Sequence, residues 1–423
     1  MNYKKTTLKN GLRVITVPMK DTQTVTVVIM VGVGSRYETE KEAGISHFIE
    51  HMFFKGTQKR PNTLAISEEL DAIGGEYNAF TSKDRTGYYA KVDCKHIETA
   101  LDVVSDIFLN SKIEEKEIEK EKGTIIQEIN MYEDNPMAKI SNVFENLLFG
   151  GNPLGREIIG YKKTVFSFTR PNFLEYMRRF YVANDTVIAV AGKIEEKKII
   201  RQIESYFSGM VKGQKPNFEK FKSNQKEPEL KIKFKKTDQT HLMVGARAYP
   251  EGHKDRFALS LLGVILGGNM SSRLFLEVRE KRGLAYYVST GGDSYKECGY
   301  IATQAGVEHK NLKTALEVIL GEYKKIAATG VSEKELKKAK EYIKGKSVMS
   351  LEASDEVAMF FIDQELRRKK ILTVKEIFAK IDRVTTGDIL RVARDVFQKN
   401  KLNLALIGPH RNDKFILNVL KKY

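Results

Sequence analysis

Cysteine is scarce in this chain. Two occur in 423 residues, Cys94 and Cys298, far apart and in no C-x-x-C pair. That excludes a disulfide framework. Long apolar runs are missing as well. The stretch from Val25 to Val33 is far short of the roughly 20 residues a membrane helix needs, and reads as a strand. Met1-Asn2-Tyr3-Lys4-Lys5 runs into the first strand without an apolar signal core, so the expected location is cytoplasmic, with no membrane span. Acidic residues are outnumbered, 55 Asp and Glu against 71 Lys and Arg, for a net charge of +16. No zinc-finger, RNA-recognition or helix-turn-helix pattern accompanies this excess, so nucleic acid is not an expected partner. The basic residues are spread along the chain and read as solvated helix faces.

What is present is enough apolar material for sizeable cores, 41% of residues, in a chain long enough for two or three domains. The chain also repeats itself. Gly87-Tyr88-Tyr89-Ala90 has a counterpart in Gly299-Tyr300-Ile301-Ala302, 212 positions on. Thr99-Ala100-Leu101 returns as Thr314-Ala315-Leu316 after 215, and Ala189-Val190-Ala191-Gly192 as Ala405-Leu406-Ile407-Gly408 after 216. A near-constant offset through unrelated local patterns means duplicated halves. The expected division is 1–211, a polar Lys-rich linker 212–231 holding Pro216 and Pro228, and 232–423. Apolar strands mixed with long helices predict α+β halves, each a mainly antiparallel sheet with helices packed on one face. Asn10-Gly11, between Thr6-Thr7-Leu8 and Leu12-Arg13-Val14-Ile15, predicts a hairpin opening the first sheet.

The chemistry concentrates in His47-Phe48-Ile49-Glu50-His51. Residues 44–52 read as helix, after a strand predicted over 24–33. Histidines four apart on a helix share a face, about 40° apart around the axis. Glu50 lies near that face. Two neutral imidazoles beside a carboxylate are the usual start of a catalytic zinc site, and H-x-x-E-H inverts the common metalloprotease order. A third ligand must come from a distant carboxylate, because Glu50 is better placed as the base for a metal-activated water. A second helical run, 114–134, carries Glu121 and Glu128 seven apart and so on one face.

His47 to His51 followed by Glu121 and Glu128 resembles the pitrilysin and insulysin family of zinc peptidases. The likeness is to its short bacterial branch, similar to the mitochondrial processing peptidases. The family pattern is the inverted motif and then a glutamate after a 76-residue gap, which here falls on Glu128. The resemblance implies His47, His51 and Glu128 as ligands of one zinc ion per chain. It also implies Glu50 as the catalytic base, and Glu121 as a catalytic carboxylate behind the ligands that orients them. Aligning Glu115-Lys116-Glu117-Ile118 with Glu333-Lys334-Glu335-Leu336 puts Ala339 opposite Glu121 and Lys346 opposite Glu128, so the second half lacks the chemistry. By the resemblance, that half would still contact substrate through Arg279 and Tyr286, with Arg282 and Tyr287 as neighbouring alternatives. The segment Gly74 to Thr81 is similar to the family's edge strand beside the metal. A peptide would add to it along Asn78, Ala79 and Phe80 by main-chain hydrogen bonds.

The function this implies is a zinc-dependent metalloendopeptidase cutting short or unfolded peptides. The alternative is a non-catalytic peptide-binding or assembly subunit of a heteromeric peptidase. Longer family members join two such double halves into a chamber, so this chain is expected to form a homodimer, or a heterodimer with a related chain. Manganese or cobalt are alternative occupants, with zinc favoured by ligand type.

Overall fold

A computed structural model describes residues 2–368, 370–411 and 414–423, the side chain of Lys414 excepted. The strands of the first sheet are β1 (Lys4–Thr7), β2 (Arg13–Pro18), β3 (Thr24–Val31), β4 (Glu76–Thr81), β5 (Thr86–Asp93) and β6 (Thr186–Gly192). Those of the second are β7 (Glu229–Phe234), β8 (Thr240–Ala248), β9 (Ala285–Gly291), β10 (Gly299–Val307) and β11 (Leu402–Gly408). The helices that build or flank the site are α1 (Ile45–Met52), α2 (Ile97–Asn110), α3 (Glu115–Asp134), α4 (Pro136–Phe149), α5 (Arg256–Gly267), α6 (Leu312–Thr329), α7 (Glu333–Ser350) and α8 (Ser354–Arg367).

The two sheets repeat one plan. Their orders are β1-β2-β6-β3-β5-β4 and β7-β11-β8-β10-β9. In each, one parallel pair (β2 with β6, β7 with β11) joins otherwise antiparallel ladders. The expected α+β halves are therefore present, as is the opening hairpin, which pairs Thr7 with Arg13 around Gly11 at φ 90°. β4 and β9 close their sheets as edges.

The chain folds into two compact units, and each takes in a segment from the other half. Unit one is 1–130, 156–219 and 347–374; unit two is 131–155, 220–346 and 375–423. Chain connectivity runs along α3 and α7, whose last turns cross from one unit to the other.

In unit one, Val25, Val27, Ile29 and Val31 of β3 are fully buried on one face of the pleat, the side on which α2 packs. On the opposite face, Val28 and Met30 join Ile15, Val17, Val187 and Ala189 against Val357, Ala358, Phe361 and Ile362 of α8. The sequence predicts helices on one face; the structure adds an exchanged helix on the other. The hydroxyl of Ser354 sits 2.9 Å from Thr24 Oγ1 and 2.8 Å from Thr26 Oγ1, a polar register mark at the helix start.

In unit two, α4 does the same. Ile140, Val143, Phe144 and Leu148 pack on Met243, Tyr300, Ala302, Ala405 and Ile407. Glu145 accepts hydrogen bonds from Tyr295 (2.8 Å) and Tyr300 (3.2 Å). The other face of that sheet carries the larger core, built with α5, α6 and Ala339 of α7. No helix among the described residues is long and apolar enough to cross a membrane.

Candidate metal centre

Helix α1 is short, eight residues, and its position is fixed from outside rather than by its own length. Gly44 precedes it at φ 98°, and a Cβ there would lie 2.7 Å from the carbonyl oxygen of Ile159. Only glycine fits that left-handed, crowded turn. The fully buried Glu38 carboxylate receives the Gly44 N–H on Oε2 (2.8 Å) and the Ser46 N–H on Oε1 (2.9 Å), capping the first turn. The Ser46 hydroxyl meets Tyr176 Oη at 2.8 Å. Burial pushes the Glu38 carboxyl up to about 8, against the opposing pull of those two N–H groups.

From this helix His47 and His51 project together, their ring centroids 4.6 Å apart. The long helix α3 brings Glu128 to them: its Oε2 lies 3.7 Å from His47 Nε2 and 3.6 Å from His51 Nε2. One donor atom from each of the three lies within 4.8 Å of the others, and no other such trio occurs among the described residues. Two turns earlier on α3, Glu121 Oε1 meets His51 Nδ1 at 2.8 Å. Its other oxygen is 2.6 Å from Lys55 Nζ. A carboxylate at Nδ1 favours the tautomer that donates from Nδ1 and presents a bare Nε2 to Glu128.

The electrostatics suit the same arrangement. Burial, helped by the neighbouring His51, pushes His47 down to about 3, so it stands as a neutral lone-pair donor. Burial raises both Glu50 and Glu128 above the usual carboxylate range. Glu121 goes the other way: burial would raise it, but its bonds from His51 and Lys55 outweigh that and hold it low. Thr81 Oγ1 donates to Glu50 Oε2 at 2.6 Å, tying that carboxylate to the edge strand β4.

The donor set fits zinc. Tetrahedral bonds of about 2.0–2.1 Å place ligand atoms roughly 3.3 Å apart, close to the 3.7 and 3.6 Å that separate Glu128 Oε2 from the two histidine nitrogens. Two imidazole nitrogens and one carboxylate oxygen also leave a fourth position open.

The other residues singled out in the sequence divide. Asn78 is exposed on β4, Ala79 and Phe80 are half-buried, and the Phe80 ring lies against Gly87 and the α8 cluster rather than in solvent. Arg279 and Tyr286 belong to unit two, whereas the metal trio belongs to unit one; within unit two they meet each other, the guanidinium 5.7 Å from the Tyr286 ring centre. Tyr286 is 77% exposed on the edge strand β9. Of the neighbouring alternatives, Arg282 is tied to Glu277 and Tyr287 to His241 Nδ1, so both are already engaged. In the second half Ala339 is buried in apolar core and Lys346 is exposed.

Sequence reasoning missed Lys55 and Glu38, and reached Thr81 only as the end of the edge strand, not as a partner of Glu50. Lys55 stood four residues after His51, a spacing that could have flagged it; Glu38 had no local signal.

Comparison with known proteins agrees with this geometry. Residues 13–162 match the family described as insulinase (peptidase family M16), and residues 167–343 match the M16 inactive domain. YmxG of Bacillus subtilis, named an uncharacterized zinc protease, is 36% identical over 410 residues, 97% of this chain and 99% of its own. A Rickettsia felis protein with the same description is 35% identical over 423 residues, 97% and 98% of the two chains. Among solved structures, a protease from Helicobacter pylori matches with a TM-score of 0.90 at 22% identity, covering 96% of this chain and 99% of that one. An M16 inactive-domain protein from Pseudomonas fluorescens matches at 0.88 and 18% identity, covering 98% and 99%. At those identities the structural matches establish the shared fold.

Proposed function

Because the chain belongs to the insulinase-type peptidase family M16, we propose that it is a zinc-dependent endopeptidase acting on short or unfolded peptides. The observation that carries this reading is the meeting of His47 Nε2, His51 Nε2 and Glu128 Oε2, with Glu50 in electrostatic contact with His51 and Glu128. Zinc held by those three would supply Lewis acidity to an attacking water and to the scissile carbonyl. The protein's own residues do the rest. Glu50 Oε1 or Oε2 takes the proton of the attacking water and returns it to the leaving amine. Thr81 holds that carboxylate in place through its 2.6 Å bond. Glu121 fixes the His51 ring and its tautomer.

Substrate binding follows from the edge. β4 has an unpaired side among the described residues, so an extended peptide can pair along Asn78, Ala79 and Phe80 as an added strand. Free N–H and C=O groups on the peptide are required, which selects unfolded or short chains. Arg279 and Tyr286 are the proposed contacts from the second half, as donors to the peptide carbonyl or to the oxyanion. A homodimer is the proposed assembly, with a heterodimer of related chains as alternative. The non-catalytic reading is not favoured, since the inactive-domain match starts at residue 167 and leaves the motif and Glu128 outside it.

The test is cleavage of a quenched-fluorescent peptide library by the zinc-loaded protein beside Glu50→Gln. The variant should bind zinc yet lose at least about 100-fold in kcat, the usual share of a general base. Full activity in Glu50→Gln, or no cleavage by folded, zinc-loaded wild type, would overturn the proposal.

A further inference from the structure

Glu121 is 4% exposed, and a carboxylate so buried is costly unless it is paired. Its two oxygens have separate partners: Oε1 has His51 Nδ1, and Oε2 has Lys55 Nζ at 2.6 Å. Lys55 is not on helix α1 but in the turn that ends it. There Phe53 N–H bonds Ile49 O, Phe54 N–H bonds His51 O, and Lys55 N–H bonds Met52 O. Phe53 is fully buried with its ring stacked on Tyr88 at 4.8 Å, which anchors the turn. Lys55 is therefore delivered to Glu121 by a fixed piece of backbone, and its own side chain is only 21% exposed. An ion pair in that setting is unlike a surface pair, whose contribution is small.

The formal charges of the site reach the same residue. With a metal bound and all three ionised, Glu50, Glu121 and Glu128 would bring three negative charges around two histidines. A divalent cation leaves one of them unbalanced, and Lys55 is the cation in contact with the group. We propose that Lys55 is a positioning residue of the metal centre. Its ammonium occupies one oxygen of Glu121, leaving the other to hold His51 with Nε2 bare, and its charge balances the third carboxylate. This inference rests on the proposed metal centre.

The experiment uses the full chain and reads metal binding rather than turnover. Zinc affinity is measured by competition with a chromophoric chelator, and ligand geometry by the visible absorption of the cobalt-substituted protein. The variants are Lys55→Met, Lys55→Arg, Glu121→Gln and the Lys55→Met/Glu121→Gln double. Lys55→Gln replaces Lys55→Met if the latter fails to fold. Removing a group that bonds a ligand directly weakens metal affinity about 10–100-fold, so Lys55→Met, one bond further out, should weaken it roughly 3–10-fold. The cobalt band should shift, and Lys55→Arg should restore both. In the Glu121→Gln background, Lys55→Met should add no further loss, because Lys55 acts through Glu121. Equal losses in both backgrounds, or an unchanged affinity and spectrum in Lys55→Met, would overturn the inference. A wild type that binds neither zinc nor cobalt would instead remove the metal centre on which it rests.

Discussion

Replacing Phe361 with alanine tests whether the unit that holds the His47–His51–Glu128 trio depends on a helix from the second half of the chain. Phe361 is fully buried on α8, among Ile15, Val17, Val28, Met30, Val187 and Ala189, with its ring 4.9 Å from that of Tyr3. Truncating a buried phenylalanine costs about 3–5 kcal/mol, from the lost transfer term and the cavity left behind. Whole domains are stable by only about 5–15 kcal/mol, so the unit should survive but open far more often. At 1.4 kcal/mol per tenfold, amide protection in β2, β3 and β6 should fall by about 100-fold or more. Hydrogen exchange read by mass spectrometry is the right assay, because two units need not unfold in one step. Phe144→Ala on α4 is the mirror experiment and should deprotect β8 and β11 instead. Phe361→Ala that deprotects β8 and β11, or that costs under about 1 kcal/mol, would refute the packing argument.

Two further outcomes follow from charges outside the metal site. Arg60 is buried among Asp102 (2.6 Å), Asp106 (2.8 Å) and Glu69 (2.6 Å); Arg60→Met should cost about 3–5 kcal/mol in urea unfolding, because it strands the buried Asp106 and its neighbour. Asp102 is held below its usual value because bonds from Lys59 and Arg60 outweigh burial. The stability it adds is therefore full above its ordinary range and lost as pH falls, and the variant should show less of that acid dependence. Glu38 has the opposite sign. Its carboxyl is raised from 4.5 to about 8 by burial, so the fold binds its proton more tightly than the unfolded chain does. Wild-type Tm should decline as pH rises through that window, and Glu38→Gln should flatten the decline; an identical Tm-against-pH curve in the variant would exclude Glu38 as its source.

What was legible in the sequence was local or periodic. The histidines four apart, Glu121 and Glu128 two turns apart, the hairpin at Asn10-Gly11 and the repeated strands all appear where spacing puts them. Helix ends moved by a residue for physical reasons. Gly44 is left-handed and stands outside α1, and Glu114 gives its carbonyl to Ile118 as the residue before α3. The exchange of α4 and α8 was not legible, because an apolar helix face records that it is buried but not against which sheet. The bond from Thr81 to Glu50 was silent for a related reason, since the two lie 31 positions apart. Phe80 is expected to meet substrate through its main chain, and its ring packs against Gly87.

The exchange of helices also sets an order of events during synthesis. Residues 1–219 contain every side chain of the metal centre, yet the unit they belong to lacks one face of its sheet until 347–374 emerge. Roughly 150 residues must be added in between, which at about 5–20 residues per second takes on the order of 10–30 s. During that interval His47, His51 and Glu128 sit in an unfinished domain with Ile15, Val28, Met30 and Val187 uncovered. A nascent chain therefore carries the His47–His51–Glu128 trio long before it can hold it rigidly.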